Sequence, residues 1–426
     1  MINSLVEGKT ISPYRNQLKE YLTLWVKTNN EVAEKGFTWA SLYEDEEWHQ
    51  YMSLDVLPIK QKEIEKIHED TINFSKLVQA TYRIVMKESK YFSHLGLPVA
   101  TWESVSEEWP EIFSYFCRYD IIQTPQGNKF IEINSDTPTG YLETTIVNEK
   151  LCELSSLRSP SKMESAIQHA WDMIVQHYEI PKDETIFFTS IGWHGEDKQT
   201  ALFNKRNCTH EHTEYIEVEK IIVGHDGLYT PDGRKINFLY RLYPLEYLLD
   251  DKDDMGNPLG LTFLEHVVEK KVRLINPTSA FVTQSKALLA VMWDILENEP
   301  HCYTEEEQCF VKQYVPKTYF TAEKFKNEKF VTKPLFGREG GGVSIIESDG
   351  IVEEEDQTPE YYNQRKIYQE YIEMPDLTIS TWDGVYTGKM LIGSFFIGGE
   401  PSGIFLRVGG KITGNLSMFL GVGMKY

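Results

Sequence analysis

Arg118-Tyr-Asp120-Ile-Ile-Gln-Thr-Pro-Gln-Gly-Asn-Lys-Phe-Ile-Glu132-Ile-Asn134-Ser-Asp136 is the stretch whose reading decides the fold of this 426-residue chain. Residues 113–122 and 129–134 have the apolar and aromatic content of two strands. The Pro-Gln-Gly run between them reads as a hairpin turn. Alternate residues of a strand share a face, so Glu132 and Asn134 point one way while Ile131 and Ile133 point into a core. Hairpin pairing brings Asp120 beside Glu132, with Arg118 on the same side. Two carboxylates and an amide oxygen are hard ligands of the kind that hold Mg²⁺. Without a metal, carboxylates so close repel one another and raise a pKa. Arg118 is placed to stabilise charge on a phosphoryl group. Thr137 and Thr139, in the loop that follows, are candidate substrate contacts. The bland alternative is a half-exposed polar strand ending in an ordinary turn.

A second block lies far downstream. Phe330-Val-Thr-Lys333-Pro-Leu-Phe-Gly337-Arg-Glu339-Gly340-Gly341-Gly342 reads as a strand running into a glycine-rich loop, and a further strand follows. Such a loop lets backbone N–H groups approach phosphate oxygens closely, with Lys333 placed to neutralise the phosphates. It lacks the lysine and the helix of a P-loop and the helix of a dinucleotide fingerprint. Tyr368-Gln369-Glu370-Tyr371-Ile372 reads as a strand leading into a hinge whose backbone could read an adenine edge. Arg407, on a later strand, would suit an acyl-phosphate intermediate.

Around these blocks the pattern is α+β. Residues 12–90 read as mostly helical, as do 147–154 and 166–178. Residues 182–285 alternate short apolar strands (184–191, 217–223, 237–242) with helical stretches, which suggests a small α/β unit with a parallel sheet. Two Asp-Gly signals within residues 225–233 predict a hairpin there. Residues 286–298 read as a buried helix, residues 353–357 as an acidic turn, and the chain from 328 onward as strand-rich. The expected domains are 1–180, 181–285 and 286–426.

Apolar residues make up 41% and charged residues 25% of the chain, ordinary for a globular protein. The net charge of −22 disfavours nucleic acid and anionic lipid as partners. It gives a weak preference for a cationic small molecule such as a polyamine. No apolar stretch approaches the ~20 residues needed to cross a bilayer. Met1-Ile2-Asn3-Ser4 has neither basic start nor apolar signal core. The expected location is cytoplasmic, and the five scattered cysteines fit a reducing compartment. Cys208, His210 and His212 offer soft ligands at alternate positions, but with no fourth ligand nearby the structural reading prevails over zinc.

Taken in order, Arg118-Tyr-Asp120, Glu132-Ile-Asn134-Ser-Asp136, Gln284-Ser-Lys286, Lys333-Pro-Leu-Phe-Gly-Arg-Glu-Gly340, Tyr368-Gln-Glu370 and Leu406-Arg407 resemble the synthetase domain of the glutathionylspermidine synthase family. The resemblance implies an ATP-grasp fold with a small α/β substrate unit. It also implies ATP and Mg²⁺ as cofactors, with Asp120, Glu132 and Asn134 on the metal. By the same resemblance Lys286, Lys333, Gly340, Gly341, Gln369, Glu370, Tyr371 and Ile372 hold ATP. Arg118 and Arg407 serve the reacting centre, Thr137 and Thr139 the substrate loop, and Glu196 and Asp197 the amine. A cysteine amidase segment is not seen, so a stand-alone member is expected. The loop run Glu339-Gly-Gly-Gly342 departs from that of the bifunctional synthetases, which leaves glutathione and spermidine unassigned as substrates. The expected reaction is amide formation between a small or peptide carboxylate and an amine. Alternatives are a kinase that stops at phosphorylation and a nucleotide-binding module without turnover.

Overall fold

The computed structural model describes residues 9–44, 46–107, 112–356, 358–361 and 363–425. The chain start (residues 1–8) and Gln357 lie outside these.

Among the described residues, the largest sheet has seven strands and draws on both ends of the chain. Its order is Met52–Ile59, Met418–Met424, Glu400–Gly409, Gly384–Ile397, Phe116–Thr124 and Gly127–Asn134, and Asp376–Thr381 also pairs with Gly384–Ile397. All neighbours are antiparallel except Met52–Ile59, which runs parallel to Met418–Met424. Met52–Ile59 is a strand within residues 12–90, which the sequence pattern reads as mostly helical. It is buried at nearly every position, so it carries no in-out alternation to mark it as a strand. A helix, Gln61–Lys87, follows. It buries Ile64, Ile67, Phe74, Leu77, Val78 and Val85 along one face, the spacing expected of an amphipathic helix. Phe74 stacks on Phe130 of the sheet at 4.1 Å between ring centroids, and truncating a buried ring of this kind costs about 3–5 kcal/mol.

The central unit is a four-stranded parallel sheet in the order Arg273–Ile275, Phe238–Arg241, Ile186–Ser190, Thr213–Glu217. The strand expected at 217–223 is instead the end of Thr213–Glu217, a 3-10 turn at Val218–Lys220 and the short strand Ile222–Val223. The hairpin expected at 225–233 forms, with Leu228–Tyr229 pairing Lys235–Ile236. A buried ion pair ties this unit to the large sheet: Arg241 donates to both oxygens of Asp136, at 2.5 and 3.1 Å. Asn276 adds hydrogen bonds to the backbone of Tyr115, Phe116, Ser135 and Asp136.

The third sheet has five antiparallel strands: Thr318–Tyr319, Lys366–Glu370, Phe330–Pro334, Ser344–Ile346 and Val352–Glu355. Glu353, Glu354 and Glu355, expected in a turn, thus belong to its edge strand, and Glu353 pairs with Lys329 and Lys411. No helix among the described residues is long and apolar enough to cross a membrane.

Candidate active site

Register across the first hairpin sets Asp120 opposite Glu132 and Arg118 opposite Asn134. A β-bulge between Asp120 and Ile121 interrupts the pairing. The bulge corrects one expectation: Ile131 lines the cleft rather than the core, and its carbonyl accepts from Lys333 Nζ at 3.2 Å. Ile133 does enter the core. The cleft is about 370 Å³ and lies where the three sheets meet. Of the residues assigned from the resemblance to metal, ATP, substrates or the reacting centre, all but Lys286 and Gly341 line it.

The electrostatics at the hairpin differ from the expected repulsion between carboxylates. Burial alone would push Asp120 up, but Arg118 and Arg407 more than offset this and hold it below the usual range. Arg118 Nε donates to Asp120 Oδ1 at 2.9 Å, and Arg407 reaches Oδ2 at 3.4 Å. Both guanidinium groups lie 5.5 Å from the centre of the Phe405 ring. Lys286 sits just beneath the cleft, donating to Glu132 Oε1 at 2.9 Å and to the Gly337 carbonyl at 2.6 Å. Each carboxylate therefore has its own cation. The Nε of Arg407 and the Nδ2 of Asn134 are buried with no hydrogen-bond partner.

On the glycine-rich side, burial pushes Lys333 down to about 8 despite the opposing charge of Glu132. It donates to Gln369 Oε1 at 2.8 Å. Gly340 and Gly342 have positive φ, and a Cβ at Gly340 would meet Ile412 Cγ2 at 2.8 Å, so glycine is required there. Gly341 faces away, against Tyr361, and its N–H donates to the Arg338 carbonyl. Ile122, Val331, Ile345, Met374 and Leu391 make an apolar wall beside the backbone of residues 369–372. Tyr371 lies under Lys329, whose Nζ is 4.3 Å from its ring centre.

The far end of the cleft is acidic. Glu196 is pushed up to about 8 by burial, then by the charges of Glu143, Asp197 and Glu339, with a hydrogen bond from Thr139 opposing. Asp197 pairs with His194 at 3.2 Å and raises its pKa. His194 lines the cleft, whereas Trp193 is 80% exposed. The Thr139 carbonyl accepts from Arg118 at 3.0 Å, and Thr137 accepts from Arg338 at 3.3 Å.

Three residues here, Glu246, Tyr51 and Glu143, had no signal in the sequence. Arg338 of the loop pairs with Glu246 of the central unit at 2.8 Å and pins the loop over the cleft. Tyr51 lines the cleft, and its hydroxyl donates to the fully buried Glu143. The Cys208, His210 and His212 trio does not converge: His210 Nε2 bonds the Glu184 carbonyl. No cluster of three or more His, Cys, Asp or Glu among the described residues is arranged to hold a metal.

A sequence profile of the glutathionylspermidine synthase preATP-grasp family matches residues 20–425. The chain belongs to that family. A protein of Haemophilus influenzae named a putative acid–amine ligase is 27% identical over 329 residues, covering 71% of this chain and 72% of its own length. A glutathione synthetase-like effector from Globodera pallida, solved in the apo form, superposes with a TM-score of 0.58 at 11% identity. That superposition covers 95% of this chain and 97% of the effector, and it shows a shared fold. The family fold is therefore α+β of the ATP-grasp type, with the small parallel sheet as its accessory α/β unit.

Proposed function

We propose that this protein is an ATP- and magnesium-dependent ligase that joins a carboxylate to an amine through an acyl phosphate. One observation carries the reading. A single cleft joins a carboxylate–amide triad, a pair of arginines, a lysine under a glycine-rich loop and, at its far end, an acidic cluster. Membership of the family and the name of the Haemophilus influenzae relative support a carbon–nitrogen ligase.

The donor set fits magnesium. Asp120 and Glu132 present hard oxygens, and nothing in the protein fixes the buried amide nitrogen of Asn134, so a cation there would select the amide oxygen. Asp120, Glu132 and Asn134 would hold the ion, whose chemistry is to neutralise phosphate charge during transfer. Lys333 and Lys286 neutralise the nucleotide phosphates, while Gly340 lets the loop approach them. The apolar wall would take the adenine, and the backbone of Gln369, Glu370, Tyr371 and Ile372 would supply its polar contacts. Thr137 and Thr139 position the carboxylate, whose oxygen attacks the γ-phosphorus as ADP leaves. Arg118 and Arg407 offset the charge on the transferring phosphoryl group and then on the tetrahedral carbon. Glu196 and Asp197 bind the amine as its ammonium form. The loop, pinned by Arg338, excludes water from the acyl phosphate.

The acidic end favours the ligase over a kinase, because a bare phosphoryl acceptor gains nothing from the Glu196, Asp197 and Glu339 side chains that line it. The test is ADP release with Mg-ATP across a panel of carboxylates (glutamate, γ-glutamylcysteine, glutathione) and amines, with Asp120→Asn as control. ADP release with an amide product in the mass spectrum is expected. ADP without amide in every combination would reject the ligase.

A further inference from the structure

Tyr51 and Glu143 form a unit that the roles above leave unused. Tyr51 stands between the hairpin Ser41–Glu44/Glu47–Gln50 and the strand Met52–Ile59, while Glu143 opens the π-helical turn Glu143–Val147. The Tyr51 hydroxyl donates to Glu143 Oε1 at 3.0 Å, and Trp39 Nε1 donates to the same oxygen at 2.9 Å. The other oxygen, Oε2, is buried with no partner. Glu143 is fully buried yet has no ion-pair partner among the described residues, only neutral donors. Such a carboxylate is expensive to keep in a fold, and a glutamine would anchor Trp39 and Tyr51 equally well.

Position supplies the reason. Tyr51 lines the same cleft as Glu196, Arg118 and Arg407, with its hydroxyl bonded to Glu143 behind it. It therefore lies at the seam between the acidic end and the arginine pair, where an amine meets an acyl phosphate. Because its proton is directed at Glu143, the oxygen lone pairs remain to accept a hydrogen from the cleft.

We infer that Tyr51, backed by Glu143, is the proton relay that converts the bound ammonium into the attacking amine. The inference rests on the ligase reading. One ammonium proton passes to Tyr51 Oη as the phenol proton passes to Oε1 of ionised Glu143. The neutral amine then attacks the acyl carbon. The carbon–nitrogen bond forms, the carbon–oxygen bond to phosphate breaks, and the second nitrogen proton leaves with the phosphate. The facing groups are Glu196, Arg118 and Arg407 from the cleft and Trp39 from behind. Burial raises the affinity of Glu143 for a proton, which suits an acceptor.

The test compares two nucleophiles with Mg-ATP and glutamate, γ-glutamylcysteine or glutathione, whichever the unmutated protein uses fastest. Spermidine arrives protonated, whereas hydroxylamine is largely unprotonated at neutral pH and needs no relay. In Tyr51→Phe and Glu143→Gln, amide formation with spermidine falls about 100-fold, the scale of a lost acid–base group, while hydroxamate formation falls less than about 10-fold. The spermidine rate of each variant also rises with pH as solvent takes over the proton. Equal losses with both nucleophiles, or no loss with spermidine, would overturn the relay. Tyr51→Phe keeps the ring packing and decides the matter alone if Glu143→Gln melts early. Failure of the ligase reading shows separately, as absence of both products from the unmutated protein.

Discussion

Replacing Arg241 by methionine removes one side of the ion pair that joins the parallel sheet to the Phe116–Thr124/Gly127–Asn134 hairpin. The side chains of Arg241 and Asp136 are 1% and 0% exposed, and two guanidinium nitrogens meet the two carboxylate oxygens. Asp136 Oδ2 also accepts from the Leu245 N–H at 3.2 Å. With the arginine gone, the carboxylate is stranded in a site closed to water, at a cost of about 3–5 kcal/mol. Adding Asp136→Asn removes the charge and keeps an oxygen for Leu245. The residual cost of the double variant is then that of imperfectly paired polar groups, about 1–3 kcal/mol. The second substitution should therefore restore roughly 2 kcal/mol, the difference between those two penalties. Urea unfolding followed by tryptophan fluorescence measures this from the midpoint of the first transition. Tryptophan residues such as Trp171 sit in the adjoining core and report it. If Arg241→Met lies within about 0.5 kcal/mol of the unmutated protein, the scale of an ordinary surface change, the pair is not the tie described. Deepening of the loss by Asp136→Asn would equally refute the charge-stranding argument.

Lys333→Met should raise the melting temperature of the nucleotide-free protein while abolishing the further rise caused by Mg-ATP. Lys333 has its folded pKa near 8 against an ordinary 10.5, so its burial penalty is roughly 3 kcal/mol at neutral pH and fades as pH climbs from 8 to 10.5. A variant that keeps the nucleotide-induced rise would remove Lys333 from the phosphate site. Glu196 is shifted the opposite way, from 4.5 to about 8, so the folded state holds a proton the unfolded chain has lost, and stability falls as pH rises through that window. Glu196→Gln should flatten the fall, read as melting temperature against pH; an unchanged slope would contradict it. Gly340→Ala places a Cβ against Ile412 and the Thr413 carbonyl at φ +75. ADP release should drop sharply with little change in global melting, and unaltered turnover would show that the loop does not need this close approach.

The Phe116–Thr124/Gly127–Asn134 hairpin was legible because its evidence is local. A short turn fixes the register, and strand alternation then decides which side chains share a face. The bulge that turns Ile131 into the cleft left no such mark. The strand Met52–Ile59 was hidden because both its faces are buried and its polar residues bond at long range: Asp55 Oδ2 with Thr10, Arg15 and the Ser380 N–H, and Ser53 with the Ser380 carbonyl. Tyr51 and Glu143 are 92 residues apart and meet only through packing of the whole chain. The acidic end of the cleft was half visible. Glu196 and Asp197 came from resemblance, while Glu143 has no motif that separates it from a surface residue of a helix. Neutralisation of Asp120 by Arg407 was similarly beyond sequence, since the two sit on strands far apart in the chain and separated in the sheet by Gly384–Ile397.

The most direct test of the ligase account follows the oxygen of the substrate acid. The carboxylate that supports amide formation is labelled with oxygen-18 and incubated with Mg-ATP and its amine. The released phosphate is then weighed by mass spectrometry. An acyl phosphate formed in this cleft delivers one labelled oxygen to the phosphate for each amide made, and Asp120→Asn suppresses both together. Amide or ADP accumulating with unlabelled phosphate would contradict the account at its centre.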